Sequence, residues 1–482
     1  MPAGGRRSER VLQSPAMTDT REFLDRFWED EILPSLTEYV AVPNVSVLFD
    51  PDWEANGHME DALQMGKAFM EKHAPDDATL HVGRIPGRTP LLLLDCPGEA
   101  DGTILMYGHL DKQPEMVGWR DGLGPWSPVR EGDKLYGRGG ADDGYALYCA
   151  LAALEAVRRE GKKRARVVLL VEFSEESGSP DLPAYMESFA DVIGSPDLVI
   201  CLDSGAGNYD QLWSTTSLRG MVGGTLQAEV LTEGVHSGDA GGVVPPPFLI
   251  LRKLLDRLED PETDRIIPEA LHAEIPAERI AQAEAAAETL GADTFTRFPW
   301  AGSTGRPGVP TSELILNRTW RPNLAVTGQG GLPSLEKAGN VLLPQVTLNL
   351  SIRLPPTVDP RAAQDAIREV VEPDPPYGAK VTVHFHEPAQ GWSAPALAPW
   401  LGDALRDASM GAYGKPAMYM GEGGSIPFMG MLGEQFPEAQ FVITGVLGPN
   451  SNAHGPNEFL EIAYAKRLTE AVATVVARHA AR

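Results

Sequence analysis

The stretch DDGYALYCALAALEAVRREGKKRARVVLLVEFSEE, residues 142–176, predicts a helix followed by a buried strand. Apolar side chains recur at helical spacing from Leu147 to Val157. Acidic residues before this run, and arginines and Gly161 after it, match the helix dipole and a glycine C-cap. Residues 166–172 are apolar without alternation, which is typical of a strand covered on both faces. The stretch therefore indicates an α/β domain.

Four further runs of Val, Ile and Leu share this unbroken apolar character. They are residues 91–94, 103–107, 198–202 and 441–446. Such runs are typical of a mainly parallel sheet with helices on both of its faces. Two helices are predicted over residues 19–42 and 59–72, because apolar side chains recur there at helical spacing.

The middle of the sequence has a different pattern. The predicted elements are a strand over 222–232, a helix after the prolines 245–247, one long or two joined strands over 341–354, a helix over 360–371 and a strand over 380–386. This β-α-β-α-β order resembles a small ferredoxin-like unit, with a helical insertion around residues 262–320.

We therefore predict one catalytic domain, interrupted by an inserted ferredoxin-like α+β domain for lid function and dimerisation. The predicted ranges are 17–212 and 389–482 for the catalytic domain and 213–388 for the lid domain. Residues 1–16 contain arginines but no apolar core, so they are predicted to be a flexible lead-in and not a secretory signal. Met1 and Met17 are both candidates for the first residue of the protein.

The net charge of the chain argues against two classes of binding partner. The 482 residues carry a formal net charge of −26, which argues against binding to nucleic acid or to an anionic membrane. The chain contains only three cysteines, Cys96, Cys149 and Cys201, which is too few for a disulfide framework. We expect these thiols to be reduced packing residues of a cytoplasmic protein.

Acids and histidines fall just past the ends of the predicted strands. His109 and Asp111 follow the run 103–107, Glu175 and Glu176 follow 166–172, and Asp203 follows 198–202. His454 follows the run 441–446 through a loop, and Asp142 precedes the best helix. Ligand sites of open α/β sheets lie at this edge.

So many carboxylates at one sheet edge repel each other unless cations neutralise them. Two histidines with several carboxylates suit zinc, with manganese or cobalt as alternatives, and the charge favours two divalent ions over one. Each motif alone has a simpler interpretation, such as a helix cap for Asp142 and its neighbour or a solvated turn for Glu175 and Glu176. Their recurrence at strand ends favours a metal site.

Five motifs resemble the di-zinc metallopeptidase family that includes carnosinase, cytosolic nonspecific dipeptidase, aminoacylase and succinyl-diaminopimelate desuccinylase. The motifs are GHLDKQP at 108–114, GRGGADDG at 137–144, SEESGS at 174–179, DS at 203–204 and HGPNE at 454–458. They occur in the family's order, and the resemblance extends from about residue 20 to the C-terminus.

This resemblance implies a role for each acid and histidine of the motifs. His109 and Asp203 hold one metal ion, Glu176 and His454 hold the other, and Asp142 bridges both. Asp111 orients the imidazole of His109. Glu175 is the general base that takes a proton from the attacking water and passes it to the leaving amine.

The resemblance extends to the inserted domain. The segment GVHSG, residues 234–238, contains His236, which in dimeric relatives reaches the partner's active site and stabilises the oxyanion. Asn340 and Arg353 resemble residues that bind substrate, with Arg353 holding a carboxylate. The segment GGSIP at 423–427 resembles the carnosinase branch, and the backbone of Gly424 and Ser425 is expected to hold the carboxyl end of the substrate.

Two positions depart from the family. Gly144 follows the Asp-Asp pair, where the family often has lysine, and Gly421 replaces the arginine that precedes the Glu-Gly-Gly-Ser segment. The second departure indicates that recognition of the substrate's end differs from that of carnosinase.

The leading functional prediction is a metal-dependent dipeptidase or short-peptide carboxypeptidase that acts as a homodimer. The alternative within the family is an amidohydrolase that removes an acyl group from an amino acid. A third hypothesis, an inactive binding or scaffold protein on the same fold, conflicts with the complete metal set and with Glu175.

Overall fold

The computed structural model describes residues 15–482, which form two compact units. The first unit extends to Ser214 and also contains Pro395–Met418 and Glu438–Arg482. The second unit contains Thr215–Ala394 and Tyr419–Pro437. The proposed start at Met1 and residues 1–14 of the predicted lead-in lie outside the described residues.

The second unit differs in one respect from the predicted lid domain, residues 213–388. Its main segment ends at Ala394, close to the predicted boundary. Tyr419–Pro437, which the prediction assigned to the second part of the catalytic domain, groups with the second unit. The predicted substrate-binding residues Gly424 and Ser425 therefore belong to the same unit as Arg353.

The first unit contains a mainly parallel sheet, as predicted. Its strand order is Thr79–Gly83, Leu91–Cys96, Ala165–Glu172, Ala100–His109, Leu198–Cys201 and Gln440–Ile443. The last four strands run parallel, and the first two pair antiparallel at one side. Most residues of these parallel strands are buried, which explains their apolar runs.

The helix predicted from the opening stretch is Tyr145–Arg159. Twelve of its residues are buried, because small alanines allow other elements to pack closely on several of its faces. It contacts the strand Ala100–His109 and the long helix Ile462–His479. This packing fixes the turn that precedes the helix, where Asp142 lies.

The predicted helix 19–42 is interrupted. The structure has helices Pro15–Phe27 and Leu33–Val40, joined by a wider π-helical turn, Trp28–Ile32. Pro34 has no N–H group to donate to the preceding turn, which accounts for the local change in helical hydrogen bonding.

The remaining elements of the first unit surround this sheet. The helices are Trp53–Asn56, His58–His73, Leu182–Ser188, Ala190–Ile193 and Pro399–Tyr413. A small sheet contains Val129–Glu131, Lys134–Tyr136 and Phe459–Glu461. The strands Trp213–Leu218 and Met418–Glu422 each cross a boundary between the units along the chain.

The second unit is built on a four-stranded antiparallel sheet. Its order is Asn323–Gly330, Gln345–Leu354, Gly220–Glu229 and Lys380–Phe385. The helices Pro247–Leu258 and Pro360–Val371 contribute to one apolar core with this sheet. The arrangement is the ferredoxin-like unit that the sequence predicts.

The prediction omitted the strand Asn323–Gly330. This edge strand is largely exposed and ends in small and polar residues, so it lacks the apolar alternation on which the prediction relied. Of the two alternatives predicted for 341–354, the structure has two strands, Val341–Leu342 and Gln345–Leu354, and Pro344 lies at the break.

The other elements of the second unit, apart from the helix Ala277–Leu290, are short. They are the strands Val235–His236 and Trp392–Ser393, the helices Ser237–Ala240, Ala277–Leu290, Asp293–Thr296, Thr311–Thr319 and Pro427–Gln435, and the 3-10 turns Glu269–Leu271, Leu335–Lys337 and Pro376–Gly378. Within residues 15–482, every helix is too short or too polar to span a bilayer.

Candidate metal centre

Three neighbouring parallel strands bring predicted ligands to one edge of the sheet. His109 is the last residue of the strand Ala100–His109. Glu175 and Glu176 lie in the 3-10 turn that follows the adjacent strand, and Asp203 follows the strand on the other side. Parallel strands end at the same edge of a sheet, so these side chains meet there.

Asp142 lies between the two histidines. Its Oδ1 is 3.6 Å from Nε2 of His109, and its Oδ2 is 3.0 Å from Nε2 of His454. The residue belongs to the π-helical turn Gly140–Gly144, before the helix Tyr145–Arg159 begins. One carboxylate thus presents an oxygen to each histidine, as a bridging ligand does.

The other carboxylates divide between the two histidines. Asp203 Oδ2 and Glu175 Oε2 are each 3.9 Å from Nε2 of His109. Glu176 Oε2 is 3.3 Å from Nε2 of His454. The structure therefore brings together all five residues that the sequence nominated as metal ligands.

Three atoms of this centre are buried without a hydrogen-bond partner among the described residues. They are Nε2 of His109, Oδ2 of Asp142 and Oε1 of Glu176. A buried polar atom without a partner has lost its hydration, and a cation restores the lost interaction. The imidazole and carboxylate donors fit zinc and other divalent transition metals.

The acid–base properties of the ligands also fit a cation site. Burial raises the pKa of Asp203 to about 7, and burial followed by the charge of Asp142 raises the pKa of Glu176. Burial works in the same direction at Asp142, but the imidazoles of His109 and His454 lower its pKa overall. Carboxylates crowded in this way favour divalent cations as neighbours.

Asp111 holds the loop of the two glutamates. Its Oδ1 accepts the backbone N–H of Glu175 and its Oδ2 accepts that of Glu176, each at 3.0 Å. Nδ1 of His109 lies 3.1 Å from the backbone carbonyl of Asp111 and 3.4 Å from its Oδ1. Donation from Nδ1 leaves Nε2 of His109 as the metal-binding nitrogen.

Glu175 and Glu176 have different neighbours although they are adjacent in sequence. Nε2 of Gln113 donates to Glu176 Oε2 at 2.7 Å, beside His454. At Glu175, burial followed by the charge of Asp203 raises the pKa. A raised pKa moves a carboxyl group toward the range of a general base.

A buried ion pair that the sequence analysis missed joins distant parts of the centre. Arg138 contacts Glu458, and both side chains are almost fully buried. Nη2 of Arg138 donates to the carbonyl of Gly455, and the N–H of Gly139 donates to Glu458, which ties the His454 loop to the Asp142 turn. The sequence signal for this ion pair was the presence of an arginine in the motif 137–144 and of a glutamate in the motif 454–458.

Lys112 is a second residue without a role in the sequence analysis. Its Nζ is buried and donates to the carbonyls of Tyr39 and Val42, at 2.8 and 2.7 Å, past the end of the helix Leu33–Val40. Its stem packs against Gly139, where an added Cβ would lie 2.6 Å from it. Gly139 has a φ of 81°, so glycine is favoured there for two reasons.

In the second unit, His236 and Asn340 lie close to each other. Val235–His236 pairs with Val341–Leu342, and the carbonyl of Asn340 accepts the N–H of Ser237 at 2.9 Å. His236 is exposed, and its Nδ1 accepts the N–H of Gly238 at 3.1 Å. This contact assigns the proton of the neutral imidazole to Nε2, which is thus a donor.

The other predicted substrate-binding residues also meet in the second unit. Nη1 of Arg353 donates to Oγ of Ser425 at 3.2 Å, and this Oγ in turn donates to the carbonyl of Arg219 at 2.5 Å. Space is open beside Gly424, because an added Cβ would meet no atom within 4 Å. The structure thus joins Arg353 to the segment of Gly424 and Ser425.

Comparisons with known proteins agree with this geometry. The sequence pattern of Peptidase family M20/M25/M40 matches residues 105–478. The cysteinylglycine-S-conjugate dipeptidase of Corynebacterium striatum is 26% identical over 366 residues, which cover 74% of this chain and 77% of that protein. The Cys-Gly metallodipeptidase dug1 of Schizosaccharomyces pombe is 24% identical over 471 residues, or 91% and 94% of the two chains.

The fold is also similar to that of a solved structure. The crystal structure of human carnosine dipeptidase 1 has a TM-score of 0.75 to this chain at 20% identity. The similarity covers 98% of this chain and all of that one. At this identity, the similarity supports the fold of both units.

Proposed function

The chain belongs to Peptidase family M20/M25/M40, and from this membership we propose that it is a metal-dependent hydrolase of dipeptides or short peptides. One observation carries the proposal. The two oxygens of Asp142 face His109 and His454, and the carboxylate of Glu175 lies beside them. The names of the relatives support dipeptides as the substrate class.

We propose that two divalent metal ions bind in this centre, with zinc favoured and manganese or cobalt as alternatives. His109 and Asp203 would hold one ion, Glu176 and His454 would hold the other, and Asp142 would contribute to both; the distances between these side chains support this assignment. Bound ions would polarise the scissile carbonyl and make a coordinated water easier to deprotonate.

In the proposed mechanism, Glu175 takes a proton from the attacking water and returns it to the leaving amine. The hydrogen bonds from its own N–H and from that of Glu176 to Asp111 hold this carboxylate in place. Nε2–H of His236 stabilises the oxyanion, and Asn340, Arg353, Gly424 and Ser425 bind the substrate.

We also propose a homodimer in which His236 serves the active site of the partner. Its exposure and the assignment of the ring proton to Nε2 support this role. A cytoplasmic location is proposed because Cys96, Cys149 and Cys201 are all buried free thiols.

Removal and return of metal test the proposed activity. We expect chelation with EDTA to lower dipeptide hydrolysis at least about 100-fold, because the loss of carbonyl polarisation costs several kcal/mol. Zinc, manganese or cobalt should restore it. The measurement is kcat/KM for a panel of dipeptides and N-acyl amino acids, with the chelated protein as the control.

Each result of the panel separates the candidate functions. Cleavage of dipeptides alone, or in clear preference, supports the proposal. Cleavage of N-acyl amino acids without dipeptides identifies an amidohydrolase instead. If no metal binds and none produces activity on either class, the protein is a non-catalytic member of the family.

Mixing of two inactive variants tests the contribution of His236 across subunits. Alone, His236→Ala is expected to lower kcat about 100-fold, as loss of an oxyanion donor does. Unfolding and refolding it with an equal amount of Glu175→Ala should restore about one quarter of the wild-type activity. Random pairing makes half of the dimers mixed, and each mixed dimer has one complete site of two.

The control is the same mixture without the unfolding step, which should stay inactive if the subunits do not exchange. If His236 acts within its own chain, no site in the mixture has both residues, and activity stays at the level of the variants. A monomeric mass in solution would also contradict the proposal.

A further inference from the structure

Three arginines surround the segment Gly423–Ser425 in the second unit. Nε of Arg219 donates to the carbonyl of Gly423 at 3.1 Å, and Arg353 donates to Oγ of Ser425. A Cβ built on Gly423 would lie 3.2 Å from Nη2 of Arg219 and 3.2 Å from Cγ of Arg318. Three arginine residues therefore approach one short segment, with Arg318 contacting it through its stem and backbone carbonyl.

None of these three arginines forms an ion pair with a carboxylate among the described residues. Among residues 15–482, no carboxylate oxygen lies within 4.0 Å of a guanidinium nitrogen of Arg219, Arg318 or Arg353. Glu422, the acid next to the segment, is included in that statement. By contrast, the neighbouring Arg321 pairs with Glu313 at 2.8 Å.

The three arginines have different hydrogen bonding. Arg219 is an anchored side chain, because Nη1 also donates to Oδ1 of Asn323 at 2.7 Å. Arg318 has weaker partners: Nη2 contacts the sulfur of Met420 at 3.3 Å, and Nε is buried without a hydrogen-bond partner in the described part of the chain. Arg318 is thus the side chain with the most unused donor capacity.

The pKa of Arg219 reflects the positive charges of the other two arginines. Burial, followed by the charges of Arg353 and Arg318, lowers the pKa of Arg219 to about 10. Buried cations repel each other unless an anion lies between them. The open space beside Gly424 gives an anion access to the segment.

A dipeptide with a neutral C-terminal side chain supplies one carboxylate, whereas three arginines that form no ion pair among the described residues contact the segment. Building on the proposed function, we propose that this arginine cluster selects substrates whose C-terminal residue is aspartate or glutamate. Arg353 binds the α-carboxylate, Arg318 binds the side-chain carboxylate, and Arg219 holds the segment and adds positive charge. Guanidinium–carboxylate pairs of this kind are short, charge-assisted and directional.

The test compares Ala-Glu with its neutral isostere Ala-Gln on the metal-loaded full chain. We expect kcat/KM to be about tenfold higher for Ala-Glu, as one additional charge-assisted pair gives. Arg318→Gln should lower this ratio to about twofold or less, and Arg318→Lys should keep part of it. Arg321→Gln, which removes a nearby arginine that is already paired, is the matched control and should keep the wild-type ratio.

The outcomes distinguish this inference from the proposed function. Cleavage of both peptides by the wild-type protein at equal kcat/KM overturns the inference and leaves the dipeptidase proposal intact. A wild-type preference that Arg318→Gln and Arg321→Gln change to the same extent also overturns it. Cleavage of neither peptide, nor of any other dipeptide, overturns the proposed function itself. Circular dichroism of Arg318→Gln verifies that the variant is folded. Arg318→Lys keeps the positive charge and is the second variant in which the Ala-Glu preference is measured.

Discussion

Glu175→Gln is expected to lower kcat for dipeptide hydrolysis about 10³-fold, within the usual range for loss of a general base. Glutamine keeps the shape of the side chain but accepts no proton at working pH. The backbone N–H of Glu175 still donates to Asp111, so the loop should keep its position. The measurement is kcat at saturating dipeptide on metal-loaded protein.

The metal content of the same samples distinguishes loss of the general base from loss of bound metal. Glu175→Gln should retain two metal ions per chain, because the bridging oxygens belong to Asp142 and not to Glu175. Glu187→Gln, a change of the same type at an exposed helix position, is the control and should leave kcat unchanged. Full activity of Glu175→Gln would contradict its role as general base. Loss of metal would instead identify Glu175 as a metal ligand. Its Oε2 lies 3.9 Å from Nε2 of His109, so the two side chains could hold the same ion.

Asp142→Asn is expected to lower the bound metal from two ions to one or fewer, and to reduce activity by at least about 10³-fold. An amide presents one oxygen and one NH₂ group to the two histidines that Asp142 now faces with two oxygens. The substitution also removes a negative charge that would balance the cations in this buried site. Metal content by atomic emission and kcat are measured on the same preparation.

The exposed change Asp121→Asn is the matched control for this variant, and it should keep both metal content and activity. If Asp142→Asn keeps two ions, Asp142 does not bridge them. If it loses metal but regains full activity with excess zinc, the bridge contributes affinity only. The two variants together separate proton transfer from cation binding.

Much of the catalytic unit could be predicted because its signals are local. The apolar runs identified the parallel strands, and the acids and histidines after them identified the sheet edge that carries the centre. The family match and the fold confirm the resemblance on which the peptidase prediction depended. The interruption of the predicted helix 19–42 was missed, although Pro34 was the local signal for it.

The remaining features depend on contacts between distant parts of the chain. Arg138 and Glu458 pair across 320 residues, and no local pattern connects them. The grouping of Tyr419–Pro437 with the second unit also has no compositional signal in the segment itself. The exposed edge strand Asn323–Gly330 was missed because it contributes little to the apolar core.

The separation of Arg138 and Glu458 along the chain has a consequence for biosynthesis. At roughly 5–20 residues per second, the ribosome needs on the order of tens of seconds to proceed from the Asp142 turn to the His454 loop. During that time the nascent chain has His109, Glu175 and Asp203 but lacks His454 and the ion pair that anchors its loop. Hydrolytic activity is therefore expected to begin only after the last strand and the His454 loop have left the ribosome, so unfinished chains cannot cleave peptides.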